Sequence, residues 1–274
     1  MKSLKKCNSI FLFILVLILF ANCGNWWNMM SSSGDSTIVI EGKKEIKNTR
    51  LVLSPGTTVI FKGYTHGTLG GTSYHPGELI IGDGATLIAK GTPENPIVFK
   101  LDEDTKSGYL TFKENCNTDS IIQYCIFENN IILDCYNNII ISKCKFEFST
   151  VNIYKGKIII DHNTFNGYNS TIIGKWELDP LVDLTITYNN INNSEREGVV
   201  FGNISPVIEY NNILSCISYA IFTGFSNNVL LVKNNYIKDC NGITGIDIDA
   251  SQCLNVIYSN YYRTTPVPEA GCGW

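Results

Sequence analysis

Asp247 and Asp249 alternate with Ile246 and Ile248 in the run Gly245-Ile246-Asp247-Ile248-Asp249. Alternate residues of an extended strand share a face, so both carboxylates would point outward, about 7 Å apart. Such a pair can bind calcium or divide acid and base roles on a sugar chain. The same run also reads as an ordinary solvent-facing strand. A second candidate is the insertion Lys175-Trp176-Glu177-Leu178-Asp179-Pro180. The face of an indole takes the CH groups of a pyranose and a neighbouring carboxylate takes its hydroxyls, so Trp176 and Glu177 suit a glycan. Trp176 folded back over the core is the plainer alternative. His66 and His75, flanked by Tyr64 and Tyr74, share one Gly-rich insertion that is either a metal site or a surface loop. His162, beside Asn163, is expected to pack in a turn.

Ten cysteines suit an exported disulfide framework. Three spacings argue for another arrangement: Cys116 to Cys135 is 19, Cys125 to Cys144 is 19 and Cys216 to Cys240 is 24. Each equals the local repeat, so each pair is expected one above the other. Parallel Cβ vectors fit a disulfide poorly, which favours a ladder of buried thiols. No CxxC pair with a nearby His suggests zinc.

The elements that would carry these residues follow from one recurring pattern. A branched apolar residue is followed three positions later by Asn or Cys and then, two further on, by a bulky apolar residue. The copies are Ile122/Cys125/Phe127, Ile141/Cys144/Phe146, Ile160/Asn163/Phe165, Ile186/Asn189/Ile191, Ile208/Asn211/Ile213, Val232/Asn235/Ile237 and Ile257/Asn260/Tyr262, stepping by 19, 19, 26, 22, 24 and 25. A period of this length marks stacked coils. A second short strand follows most copies: Gly198–Phe201, Ala220–Thr223 and Gly245–Ile248. Upstream, Leu51–Gly63 matches Leu79–Gly91 at an offset of 28, each a strand, a Gly turn and a strand, with Tyr64–Gly77 as an insertion. The recurrent Asn is expected to hold a left-handed turn conformation and to bond its counterparts along the stack.

These features predict an all-β solenoid, a right-handed parallel β-helix of about nine to ten coils. The alternative is a leucine-rich repeat, whose strand motif Leu184-x-Ile186-x-x-Asn189-x-Ile191 fits. That motif also wants an apolar residue eight before the Asn, where Lys155, Asn203, Asn227 and Gln252 stand in other copies.

Gly84-x-x-Leu87-x-Ala89-x-Gly91-Thr92 with Pro96-Ile97-x-Phe99, and Asn260-Tyr261-Tyr262-Arg263-Thr264-Thr265, resemble recurrent coils of bacterial right-handed parallel β-helix proteins, the pectate-lyase-like superfamily. Arg263 departs from the Gly usual there. The resemblance covers about 38–265 and implies the fold. It leaves activity open, because the group mixes lyases, hydrolases, adhesins and scaffolds. Asn117-Thr118-Asp119 is similar to one catalytic segment of the polygalacturonases, without the other segments they need.

The N-terminus reads as an export signal: Lys2, Lys5 and Lys6 precede the apolar run Ile10–Phe20, which is too short to span a bilayer. Leu19-Phe20-Ala21-Asn22-Cys23-Gly24 resembles a bacterial lipobox, in which Ala21 and Cys23 fit and Phe20 and Asn22 depart. That resemblance implies lipidation of Cys23 and a membrane anchor. An ordinary secretory signal with Cys23 incidental is the alternative. The expected organisation is signal peptide 1–22, lipidated N-terminus and tether 23–37, β-helix 38–265 and tail 266–274.

The net charge of −4, with only three arginines, excludes a nucleic-acid partner. The reading is an exported, membrane-anchored surface protein that binds a polysaccharide or serves as a scaffold, with no catalytic constellation. The alternative is a polysaccharide lyase or hydrolase using Asp247, Asp249 and Trp176. No cofactor is expected beyond calcium. A cluster of acidic and basic side chains on an outer face would favour the enzyme; a smooth Asn-rich face would favour the scaffold.

Overall fold

In the computed structural model of the chain the described residues are 36–68, 71–168, 171–174, 182–194, 197–202, 204, 206–223, 230–238, 240, 243–244, 256–257 and 260–262. Among them every regular element is a strand. Each coil spends three strands, as in Cys125–Glu128, Ile131–Cys135 and Ile139–Ser142, followed by Lys145–Glu147, Thr150–Ile153 and Gly156–Asp161. Equivalent strands of successive coils pair in parallel into three sheets of ten, nine and nine strands. We call these the first, second and third faces, in chain order. The first face runs from Thr37–Glu41 to Asn260–Tyr262, so nine turns separate its ends. A leucine-rich repeat has one parallel sheet, whereas three close this solenoid into a parallel β-helix.

Alternation sets the core. Each short strand buries every second side chain, and in-register pairing places like above like. On the first face Phe99, Phe127, Phe146 and Phe165 stack with centroids 4.8, 4.6 and 4.5 Å apart and planes within 4°. The same row continues as Ile191, Ile213 and Ile237.

The corner between third and first faces carries the recurrent Asn. Asn163, Asn189, Asn211 and Asn235 are buried and form one ladder. Each Nδ2 donates to the next Oδ1, at 3.0, 3.0 and 2.9 Å. The same Oδ1 atoms accept the backbone N–H of the preceding rung at 2.8–2.9 Å. Each Nδ2 also donates to a main-chain carbonyl of the preceding coil, as from Asn189 to Ile160 and from Asn211 to Ile186. Every buried donor and acceptor of the amide is thereby used.

The left-handed conformation expected at this Asn belongs instead to the residue before it. Tyr124, Lys143, His162, Tyr188, Tyr210 and Asn234 have φ between 50° and 58°. One left-handed residue turns the chain through the corner and throws its own side chain outward. The next residue then returns inward, where its amide reaches the rungs above and below. Each such residue costs about 1 kcal/mol without Gly, which the amide bonds offset.

Cys125 and Cys144 occupy the same ladder positions, below Asn163. Their thiols point at carbonyls one coil down, Cys125 to Ala89 at 3.5 Å and Cys144 to Ile122 at 3.7 Å. Cys216 and Cys240 are also neighbours, with the Cys216 N–H donating to Cys240 Sγ at 3.2 Å. All six described cysteines are free thiols. Cys116 does not stack on Cys135 as its spacing suggested. Cys135 pairs with Phe112 and Ile153, because the local step on the second face is 23 residues.

The offset of 28 also gave the wrong register. Leu51–Leu53 stack on Leu87–Ala89, 36 residues on, and belong to the third face, whereas Leu79–Ile81 belong to the second. A strand, a Gly turn and a strand look alike at any corner. Gly56 (φ 82°) and Gly84 (φ 62°) do make the expected turns. The insertion folds as an antiparallel hairpin, Tyr64–Thr68 with Gly71–His75.

Candidate functional site

The residues singled out for chemistry, Asp247, Asp249, Trp176, Glu177 and Cys23, lie outside the described residues. The second-face strand of that last coil is Ile243–Thr244, stacked on Ile221 and Phe222, ahead of the expected Gly245–Ile248. Among the described residues no three His, Cys, Asp or Glu side chains gather to hold a metal, and no helix is long and apolar enough to cross a membrane. His75 stacks on Tyr64 across the hairpin at 4.9 Å, and His66 pairs with Ser73. Asn117 donates from Nδ2 to Gly84 O at 2.8 Å and Thr86 Oγ1 at 3.0 Å, which makes it a structural clamp.

Two outer surfaces of different character remain. The first lies at the start of the second face. Glu45 meets Lys113 at 2.6 Å and Lys47 at 3.4 Å, and Glu78 meets Lys43 at 3.4 Å. Mixed charges of this kind would favour an enzyme if any were free to exchange a proton. Here the Lys113 ammonium holds the Glu45 carboxyl below its ordinary range, and Glu45 holds Lys113 above its own. Each shift favours the charged form of its group, as in an ordinary surface ion pair.

The second surface is the row of left-handed corner residues, which sequence reasoning missed. Lys143 Nζ lies 5.2 Å from the centre of the Tyr124 ring and donates to its Oη at 3.1 Å. His162 stacks on Tyr188 at 4.8 Å, and Tyr188 on Tyr210 at 5.0 Å with planes within 5°. Tyr188 and Tyr210 are 50% and 45% exposed, large values for stacked rings. Their faces are spent on one another, so their edges and hydroxyls meet solvent.

Polar rows flank this rib. On the third-face side Thr187 Oγ1 donates to Asp161 Oδ1 at 2.8 Å, and His162 Nδ1 bonds Asp161 Oδ2 at 2.7 Å. On the first-face side Lys145, Thr164, Asn190 and Asn212 follow in register, with Glu147, Asn166, Asn192 and Leu214 two positions on. Its amides are those associated above with a scaffold, here set beside exposed aromatic rings. The signal was present in the sequence: the residue before each ladder Cys or Asn is Tyr, Lys, His, Tyr, Tyr and Asn in turn. His162 does sit in a turn, as expected, but on the outside of it. The arrangement offers hydrogen-bonding groups once per coil, about 4.8 Å apart.

No protein-family model matches the chain, and no curated protein matches it in sequence.

Proposed function

We propose that the chain is an exported, lipid-anchored surface protein of the pectate-lyase-like group, whose β-helix serves as a glycan-binding or structural module. The observation that carries this reading is the exposed rib Tyr124, Lys143, His162, Tyr188 and Tyr210 between two polar rows. A spacing close to the length of one sugar unit suits an extended polysaccharide lying along the solenoid axis. Tyrosine hydroxyls, amides and carboxylates would take its hydroxyls, while ring edges cover its CH groups. Trp176 and Glu177, and Asp247 and Asp249 with calcium, are proposed as further ligand contacts apart from this rib.

A glycan array probed with the full chain, with and without calcium, tests the reading. Replacing Tyr188 and Tyr210 together by Ala should weaken any hit at least ~tenfold, about 1.4 kcal/mol, with thermal unfolding little changed. Unaltered binding would remove the rib from the site. Release of unsaturated or newly reducing ends from the bound polymer would replace a binding module by a lyase or hydrolase. Palmitate labelling that vanishes in Cys23→Ser supports the anchor; no label on either form rules it out.

A further inference from the structure

On the outer side of the third face the middle row is apolar through five successive coils, with polar residues on either side of it. Val52, Ile88, Ile121, Ile140, Ile159 and Thr185 stack in register in one outward row. Val52 is 48% and Ile140 41% exposed, and the other four are partly exposed although each is sandwiched between neighbours. Outward positions of a solvated sheet are normally polar, as Thr164, Asn190 and Asn212 are on the first face. A continuous aliphatic row on a flat, regular sheet therefore marks a contact surface.

The charges beside the row say what covers it. Consider a second copy laid face to face and antiparallel, with the two-fold axis between the coils of Ile121 and Ile140. Ile121 then faces the partner's Ile140, Ile88 the partner's Ile159, and Val52 the partner's Thr185. Lys90 and Asp161 each stand two positions after a row residue, so Lys90 meets the partner's Asp161. Arg50 and Asp183 each stand two positions before one, so Arg50 meets the partner's Asp183. The two-fold doubles both pairs. The same register sets Lys157 against Thr86 and Asp119 against Asn138; because Lys157 lies 3.7 Å from Asp183 of its own chain, Arg50 would share that carboxylate with it. A parallel arrangement would match only Lys157 with Asp161. Sheets pack about 10 Å apart, within reach of Lys and Arg side chains. Six coils by three outward positions give about 600 Å² per partner, which puts the pair at the small end of specific interfaces.

We infer that two copies of this chain form a reversible antiparallel dimer through the aliphatic row of the third face, keyed by Lys90–Asp161 and Arg50–Asp183 pairs. The proposal does not depend on glycan binding. Sedimentation velocity of the full chain bearing Cys23→Ser, in mild detergent so that acyl chains cannot associate, tests it. A monomer–dimer equilibrium is expected, with a Kd on the order of micromolar. Ile140→Lys should raise that Kd at least ~tenfold, and so should Lys90→Glu. Lys90→Glu combined with Asp161→Lys should restore it, with circular dichroism unchanged throughout. A chain monomeric at every concentration overturns the proposal, as it would if a terminal segment of the same chain covered the row. So does a dimer indifferent to Ile140→Lys, or one that the double charge exchange fails to restore.

Discussion

The corner ladder is built in two ways within one solenoid. At Cys125 and Cys144 its rungs are thiols, the coils step by 19 residues, and phenylalanine rings stack two positions on. From Asn163 to Asn235 the rungs are amides, the steps lengthen to 26, 22 and 24, and isoleucine replaces phenylalanine from Ile191 onward. A thiol fills space and offers one weak donor, whereas the amide satisfies two donors and at least two acceptors. Cohesion between coils thus shifts from ring stacking in one half to directional hydrogen bonds in the other. The shift coincides with variable coil length. A 19-residue coil has few residues beyond its three strands and corners, so its register has little room to slip. A coil with an insertion needs a polar pin that tolerates one alignment only.

The most damaging way to break the comparison is to empty each half of its own support. Phe146→Ala removes a ring held between Phe127 and Phe165 and should cost about 4 kcal/mol in urea unfolding. In the other half Asn189→Ala leaves the Asn163 N–H and Nδ2 without their acceptor. It also leaves the Ile160 and Thr187 carbonyls without their donor. We expect a loss of about 3 kcal/mol. An equal loss from Ile213→Ala and Phe146→Ala would show that the rings carry no special share.

A gentler exchange sharpens it. Asn189→Cys keeps the space filled but strands two donors, and should cost about 2 kcal/mol. Cys144→Asn places an amide where carbonyl Ile122 O and Asn163 Oδ1 are already in reach, and should change stability by less than about 1 kcal/mol. The asymmetry between these two substitutions is the measurable form of the claim that the amides pin register. Equal costs would mean that the ladder position cares only for volume.

The comparison also marks what the sequence made legible. In-register stacking repeats the same side chain at each coil, so Ile, Asn or Cys, and Phe recur at readable spacing and reveal the β-helix. The faces do not announce themselves. Leu51–Leu53 and Leu79–Ile81 look like one repeat because corner phrases resemble one another, although they lie on different sides of the prism. The left-handed residue was placed one position late, since Asn tolerates that conformation best and Tyr or His poorly; the need of the buried amide for its neighbours decided the matter. For the same reason the exposed rib went unread. Its members differ in type, and only their place before each ladder residue unites them. Asp247 and Asp249, placed on an outward face by their alternation with Ile246 and Ile248, lie outside the described residues.

The smallest expected effect concerns the thiols themselves. Burial holds Cys125 and Cys135 well above the ordinary thiol range and raises Cys116 to about 11. Only the thiolate attacks a disulfide reagent, so Cys116, Cys125 and Cys135 should stay unreactive toward an aromatic disulfide near pH 8 in the native protein and turn reactive in denaturant. The sign of the pH dependence follows. A thiol that keeps its proton in the fold but releases it near its ordinary pKa when unfolded stabilises the fold below that ordinary value. It loses that contribution as pH rises toward the folded pKa. Stability should therefore decline from about pH 9 upward, with Cys116 contributing up to about pH 11 and Cys125 and Cys135 continuing beyond it. Cys116→Ser should make that decline shallower below about pH 11, whereas Asn189→Ala, which removes no titrating group, should lower the whole profile without changing its slope. An alkaline loss unchanged by Cys116→Ser, Cys125→Ser and Cys135→Ser together would assign it to other groups and leave these three thiols as inert filling.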